Sequence, residues 1–147
     1  MDPTTRAVRD QYDRFPYPDG QPVMRVCWDV RYLLAQGERA RPKGRPPRVL
    51  DAGCGRGLGL TGAASSQPDV QFLGVDISST ALEHARGYAT QLGLKNVAFA
   101  TCDLMTLEGL EVPDGGFDVI YSSGVLHHLT TPGRRSPGCA RSSLPTA

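Results

Sequence analysis

Residues 48–59 read RVLDAGCGRGLG, from Arg48 to Gly59: an apolar run ends in an acid and drops at once into three glycines at alternate positions. A strand that turns sharply into a helix, and lets its backbone approach a ligand, needs residues without a Cβ. Gly53, Gly55 and Gly57 supply them. Asp51, just ahead, sets a negative charge at the carboxyl end of the strand, which suits a bound ammonium and a nearby sulfonium and would repel a pyrophosphate. A dinucleotide fingerprint counted from Gly53 would place its third glycine where Leu58 stands, and a phosphate-binding P-loop needs a lysine that the loop lacks. A ligand-free strand-to-helix turn is the remaining alternative. Of the small-molecule donors with this charge pattern, S-adenosylmethionine fits best.

Outward from the loop, the pattern alternates in the way that builds a parallel sheet with crossover helices. The expected elements are a strand at RVLDA, a helix over 58–65, a strand at VQFLGVD (70–76), a helix in SSTALEHARGYATQLG, and strands at NVAFATCD and FDVIYSS. For the long helix, Thr80 with Glu83 reads as a capping box, Ala81, Leu82, Ala85, Ala89 and Leu92 as one stripe, and Gly93 as the C-terminal cap. Right-handed crossovers then favour the spatial strand order 3-2-1-4, with the ligand crevice over the carboxyl ends at the switch in direction.

Upstream, TTRAVRDQYDR reads as a short polar helix that FPYP must end, because Pro16 and Pro18 push Phe15 and Tyr17 into extended backbone. Val23, Met24, Cys27, Val30, Leu33 and Leu34 recur at helical spacing and predict a helix over 23–36. In ERARPKGRPPR, Arg39, Arg41, Lys43, Arg45 and Arg48 alternate with proline and glycine, so the segment reads as a linker. Solvated tether and RNA contact are its two readings; no aromatics are interleaved, which favours the tether. The expected organisation is an arm or lid over 1–38, a basic linker over 39–47, a ligand-binding unit over 48–131 and an irregular tail over 132–147.

The totals exclude several classes. A chain of 147 residues has room for one domain with a real core, and a formal charge of +1 with 39% hydrophobic residues argues against polyanion binding and wholesale disorder. Cys27, Cys54, Cys102 and Cys139 are far apart without a CxxC pair, against a zinc ribbon or disulfide scaffold and in favour of a reducing, cytoplasmic setting. No apolar run approaches the ~20 residues that span a bilayer, and the first ten residues lack a signal-peptide core.

Three acids fall at the carboxyl ends of successive strands: Asp51, Asp76 and Asp103. Asp76 follows the glycine loop by roughly 20 residues, the spacing at which a carboxylate accepts both ribose hydroxyls. Its alternative is a cap for the helix that begins near Ser78. Asp103 is placed to accept from an adenine amino group while Ile77 and Leu104 sandwich the ring; an ordinary turn aspartate is its alternative.

VLDAGCGRG, FLGVDIS, ATCDL and FDVIYSSGVLHHL together resemble, in order and spacing, the successive motifs of the class I S-adenosylmethionine-dependent methyltransferases, over roughly residues 6–131. QYDRFPYP with SSGVLHHL is similar to the methyltransferase domains attached to tetratricopeptide repeats. The resemblance implies a Rossmann-like, partly doubly wound sheet and S-adenosylmethionine as cofactor. It implies that Asp51 contacts the amino-acid part of the cofactor, Gly53, Gly55 and Gly57 let it lie flat, and Asp76 holds the ribose. Cys102 and Asp103 then meet the adenine, and Ser122 closes on the methionine portion.

Methyl transfer asks mainly for in-line alignment of an acceptor, because the sulfonium is already activated. His127 and His128 are candidates for a base or for packing beside the pocket, and no residue is assigned as catalytic. No metal site is expected. Tyr12, Phe15 and Tyr17 form a lid or pack on the body. Cys54 reads as a small residue in the turn rather than a nucleophile. Beyond Leu129, TTPGRRSPGCARSSLPTA has neither the helix nor the three further strands that the resemblance implies. Its bias resembles an out-of-frame reading of a GC-rich gene, so the expectation is a cofactor half without its acceptor half, and a non-catalytic binding module is the alternative function. FDVIYSS would then be an open edge prone to self-association.

Overall fold

A computed structural model describes residues 3–15, 29–37, 40 and 42–125 of the chain. Helix α1 (Pro3–Arg14) starts on a proline, whose missing N–H costs nothing in a first turn, and stops two residues before Pro16. Helix α2 (Val30–Gln36) starts where Asp29, in extended backbone, accepts from the Arg31 and Tyr32 amides. Of the helix predicted over 23–36, the described part begins at Val30 with Asp29 as its cap, and positions 23–28 lie outside the described residues. Then follow β1 (Arg48–Ala52), α3 (Leu58–Ser66), β2 (Gln71–Asp76), α4 (Ser79–Gln91), β3 (Val97–Thr101) and β4 (Val119–Tyr121).

All pairings in the sheet are parallel and its order is β3-β2-β1-β4, as the crossover rule predicts. The register places Asp51 beside Gly74 and Asp76 beside Thr101. Because side chains alternate along a strand, Val49 and Asp51 share a face with Phe72, Gly74 and Asp76. That face is covered by helices: Val30 and Leu34 of α2 and Leu60, Ala63 and Ala64 of α3 pack with Val49 and Phe72 in one buried cluster. Gly74 is the place where α3 comes closest. A Cβ there would meet Leu60, Cys54 and Phe99 at 2.7 to 2.9 Å.

On the opposite face Leu50 and Val75 are covered by the β3–β4 connection, where Cys102 is buried and Leu104, Leu110 and Phe117 pack against them. No helix forms in that connection, which is built of turns. Helix α4 is capped by the buried hydroxyl of Ser78, which accepts from the Ala81 amide at 3.1 Å, rather than by the predicted Thr80 and Glu83 pair. Gly93 takes the left-handed conformation (φ 65°) that ends it, as expected.

The basic segment is more than a tether. Arg45 pairs in two-pronged fashion with Asp118, Nη1 to Oδ2 at 2.7 Å and Nη2 to Oδ1 at 2.9 Å, and the Arg48 amide donates to the same carboxylate at 2.8 Å. These contacts stitch the entry of β1 to the start of β4, a strand of only three residues. The hydrogen bond from Arg45, helped by the Arg48 amide, holds the Asp118 carboxyl below its ordinary range. A depressed carboxyl stabilises the fold above its unfolded-state value and loses that contribution as pH falls through the folded value. Asp118→Ala should therefore lower the urea midpoint at pH 7, and the gap to the wild type should close as the solution is acidified below about pH 4.

Candidate functional site

The glycine loop is fixed by its own backbone. The Gly53 and Cys54 amides both donate to the Val75 carbonyl, at 2.8 and 2.9 Å, so the loop hangs from the end of β2. Gly53 (φ 88°) and Gly57 (φ 68°) occupy the positive-φ region that disfavours side chains. A Cβ on Gly57 would also fall 2.8 Å from the Ala85 methyl of α4, and one on Gly53 would fall on the Val125 side chain. Neither Gly53 nor Gly57 can thus accept a side chain without moving the segment after β4 or α4.

Two carboxylates stand over this loop. Asp76, at the end of β2, accepts from the Gly55 amide through Oδ2 at 2.8 Å and from the Ser78 amide through Oδ1 at 3.0 Å. Asp51, at the end of β1, is 5% exposed and its carboxylate has no hydrogen-bond or ion-pair partner among the described residues. Burial, reinforced by the charge of Asp76, pushes the Asp51 carboxyl up to about 7. Burial likewise raises Asp76 above its ordinary value. Among the described residues no cation pairs with Asp51 or Asp76, and a ligand that supplies one relieves both groups.

Asp103 lies one strand further on, two residues past the end of β3, and is buried. Its Oδ1 accepts from the Met105 amide at 2.8 Å, so the turn-aspartate reading is satisfied by one oxygen. Leu104 is half-buried against the Leu50 and Val75 face, Cys102 is fully buried beside it, and Ile77 is half-buried beyond β2. Strands lie about 4.8 Å apart, so the ends of β1 and β3 are separated by roughly 10 Å, about the reach from the amino-acid group to the base of an extended nucleoside ligand. Ser122, immediately after β4, donates its hydroxyl to the Ala52 carbonyl at 2.8 Å and so ties the end of β4 to the end of β1, next to Asp51.

Other groups divide between the crevice and its supports. Burial first, then Asp51 and Asp76, drive the Cys54 thiol well above its ordinary value, which keeps it protonated and leaves it a small packing residue. Tyr12 is half-buried while Phe15 is 68% exposed, so the two do not share an environment. Tyr17, His127 and His128 lie outside the described residues. Among the described residues no group of His, Cys, Asp and Glu is placed to hold a metal, and no helix is long and apolar enough to cross a membrane.

Three supports escape the sequence reading. Arg56, inside the loop, reaches Tyr88 of α4: Nη2 donates to the phenol oxygen at 3.1 Å, with the guanidinium 5.9 Å from the ring centre. Asp13 of α1 accepts from the Ser78 hydroxyl at 2.5 Å. Gly109 lets the turn after Asp103 lie against the Thr101 carbonyl. Each joins residues far apart in the chain or depends on a backbone angle, and no local motif marks it.

Residues 46–134 match the family model described as a methyltransferase domain. The chain belongs to the class I S-adenosylmethionine-dependent methyltransferases. An uncharacterised protein of Synechococcus sp. is 35% identical to this methyltransferase domain over 142 residues, covering 90% of this chain and 33% of its own length. The 2-heptyl-1-hydroxyquinolin-4(1H)-one methyltransferase of Mycobacteroides abscessus is 36% identical over 116 residues, with 79% and 44% covered. The structure of PKMT2 from Rickettsia typhi in complex with AdoHcy superposes with a TM-score of 0.60 and 30% identity, over 76% of this chain and 21% of that one. The chain thus spans less than half the length of these relatives.

Proposed function

We propose that this chain binds S-adenosylmethionine in the crevice over β1, β2 and β3 and presents its methyl group for transfer. The observation that carries the reading is Asp51: a buried carboxylate without a partner among the described residues, beside a second carboxylate and a turn whose Gly53 and Gly57 have no room for a Cβ. The ammonium of the methionine portion pairs with Asp51, and Gly53, Gly55 and Gly57 leave room for the chain of the ligand. Asp76 accepts from the Gly55 and Ser78 amides and is also hydrogen-bonded by the Ile77 amide, and the acceptor capacity that remains on its two oxygens takes the ribose hydroxyls. The second oxygen of Asp103 takes the adenine amino group, between Ile77 and Leu104, and Cys102 lines the base. Ser122 bounds the methionine end.

The chemistry asked of the protein is alignment. The acceptor must approach in line with the carbon–sulfur bond, and a base is needed only where the acceptor carries a proton. His127 and His128 follow Ser122 at that end and are the candidates. Acceptor identity is set beyond the crevice. The same reading includes self-association through β4, which is an edge strand among the described residues and carries Ile120 65% exposed.

Thermal shift tests the cofactor. At 100 times the dissociation constant, S-adenosylmethionine and its demethylated product should each add about 2.7 kcal/mol to the unfolding free energy, or roughly 8 °C in Tm for a chain of this size, with NAD inert. A shift with NAD alone, or with none of the three, overturns the assignment. Binding without methyl release to any acceptor would leave a cofactor-binding module.

A further inference from the structure

The end of α1 is wired to the cofactor crevice by a continuous path of hydrogen bonds. Asp13 Oδ1 accepts from the Ser78 hydroxyl at 2.5 Å and from the Thr80 amide at 3.4 Å, across 65 residues of sequence. The Ser78 hydroxyl donates in the first bond, and its oxygen accepts in turn from the Ala81 amide. Ser78 is fully buried, so this hydroxyl has no solvent alternative. The amide of the same Ser78 donates to Asp76 Oδ1, and Asp76 Oδ2 holds the Gly55 amide of the glycine loop. Four elements are thereby linked in series: α1, the start of α4, the end of β2 and the loop.

We propose that Asp13 is a positioning residue of the cofactor site, fixing the orientation of Ser78 and, through it, the orientation of the Asp76 carboxylate toward the ribose. The proposal rests on the reading that Asp76 takes the ribose hydroxyls. Asp13 touches no ligand itself. Its contribution is to hold the α4 cap closed, so that the Ser78 amide points at Asp76 rather than turning with a loosened first turn of α4. The arrangement has an electrostatic cost, because the Asp13 charge disfavours the ionised form of Asp76. An amide side chain at position 13 would keep the accepting oxygen and remove that repulsion.

The test uses calorimetric titration of the full chain with S-adenosylhomocysteine and with its 2′-deoxyribose analogue. Asp13→Ala should weaken S-adenosylhomocysteine about tenfold, the loss of one charge-assisted hydrogen bond spread over the path. The loss for the deoxy analogue should be markedly smaller, since that ligand cannot use Asp76 fully. Asp13→Asn should bind within about twofold of the wild type, because its carbonyl still accepts from Ser78. Hydrogen exchange of the ligand-free chain gives an independent readout: Asp13→Ala should speed exchange at the Gly55 and Ser78 amides, and Asp13→Asn should not.

Equal losses for both ligands would reduce Asp13 to a structural role and overturn the proposal, as would wild-type affinity in Asp13→Ala or failure of Asp13→Asn to restore it. Unchanged exchange at Gly55 in Asp13→Ala breaks the path itself, even if no ligand is added. Wild-type protein that binds neither ligand overturns the cofactor reading, which is a different result from binding that ignores position 13.

Discussion

Asp51→Asn is expected to weaken S-adenosylhomocysteine by about 100-fold while making the ligand-free chain more resistant to heat at pH 8, the loss being that of a buried charged pair. The two effects share a cause. The folded chain holds the Asp51 carboxyl at about 7, far above the ordinary value of 3.8, chiefly by burial and then by the neighbouring Asp76 charge. A raised acid value means that the folded chain keeps a proton which the unfolded chain has already released. Between about pH 4 and pH 7 the folded state therefore binds more protons, and stability falls as pH rises through that window, then levels off.

The full penalty is on the order of 4 kcal/mol, a large share of the stability of a small domain. Asparagine cannot ionise and escapes it. Calorimetric melting at pH 5 and pH 8 checks the claim: the wild type should lose Tm across that interval, the variant should lose much less, and the two should converge at the acid end. Parallel melting curves would show that Asp51 is solvated or paired in solution. In the wild type, S-adenosylhomocysteine should stabilise more at pH 8 than at pH 5, since its ammonium pairs only with the ionised carboxylate.

Gly109→Ala should cost roughly 3 kcal/mol of folding free energy, read as a fall in the urea midpoint with little change in slope. Gly109 sits at φ 89°, and a Cβ there would be driven into the Thr101 carbonyl, a backbone group that cannot swing aside. The matched control is Gly115, at φ 80° with nothing within 4 Å of its would-be Cβ. Gly115→Ala carries the backbone strain alone and should cost about 1 kcal/mol. Equal losses at the two sites would assign the whole effect to backbone angle. The difference between them measures how tightly the turn that holds Asp103 is pressed onto the end of β3.

The sheet was legible because β1 and β2 are buried on both faces and read as apolar runs stopped by Asp51 and Asp76. Strand order followed from crossover handedness alone. Helix starts were less legible. Ser78 and Thr80 both suit an N-cap, and Thr80 has the Glu83 partner that a local rule rewards. Ser78 is the cap in the structure, and its hydroxyl is bound by Asp13, 65 residues away, a partner that no local rule sees. At α2 the apolar spacing runs through Asp29 without a break, whereas the carboxylate of Asp29 takes two amides and begins the helix there. The places of Asp51 and Asp76 at strand ends, and of the glycines in the turn, could be read because they depend on position along a strand. Arg45 with Asp118 and Arg56 with Tyr88 could not, because nothing in either neighbourhood names the other partner.

One consequence follows from the way Asp76 holds the Gly55 amide while Gly53 and Cys54 share the Val75 carbonyl. The loop is held by the chain's own backbone and carboxylate bonds, so a ligand seated on it as proposed would find little configurational freedom there to surrender on association. Under the proposed pairing of Asp51 with the ammonium, a sulfonium-free, ammonium-free nucleoside such as adenosine should find a well-shaped seat yet rest in it only weakly.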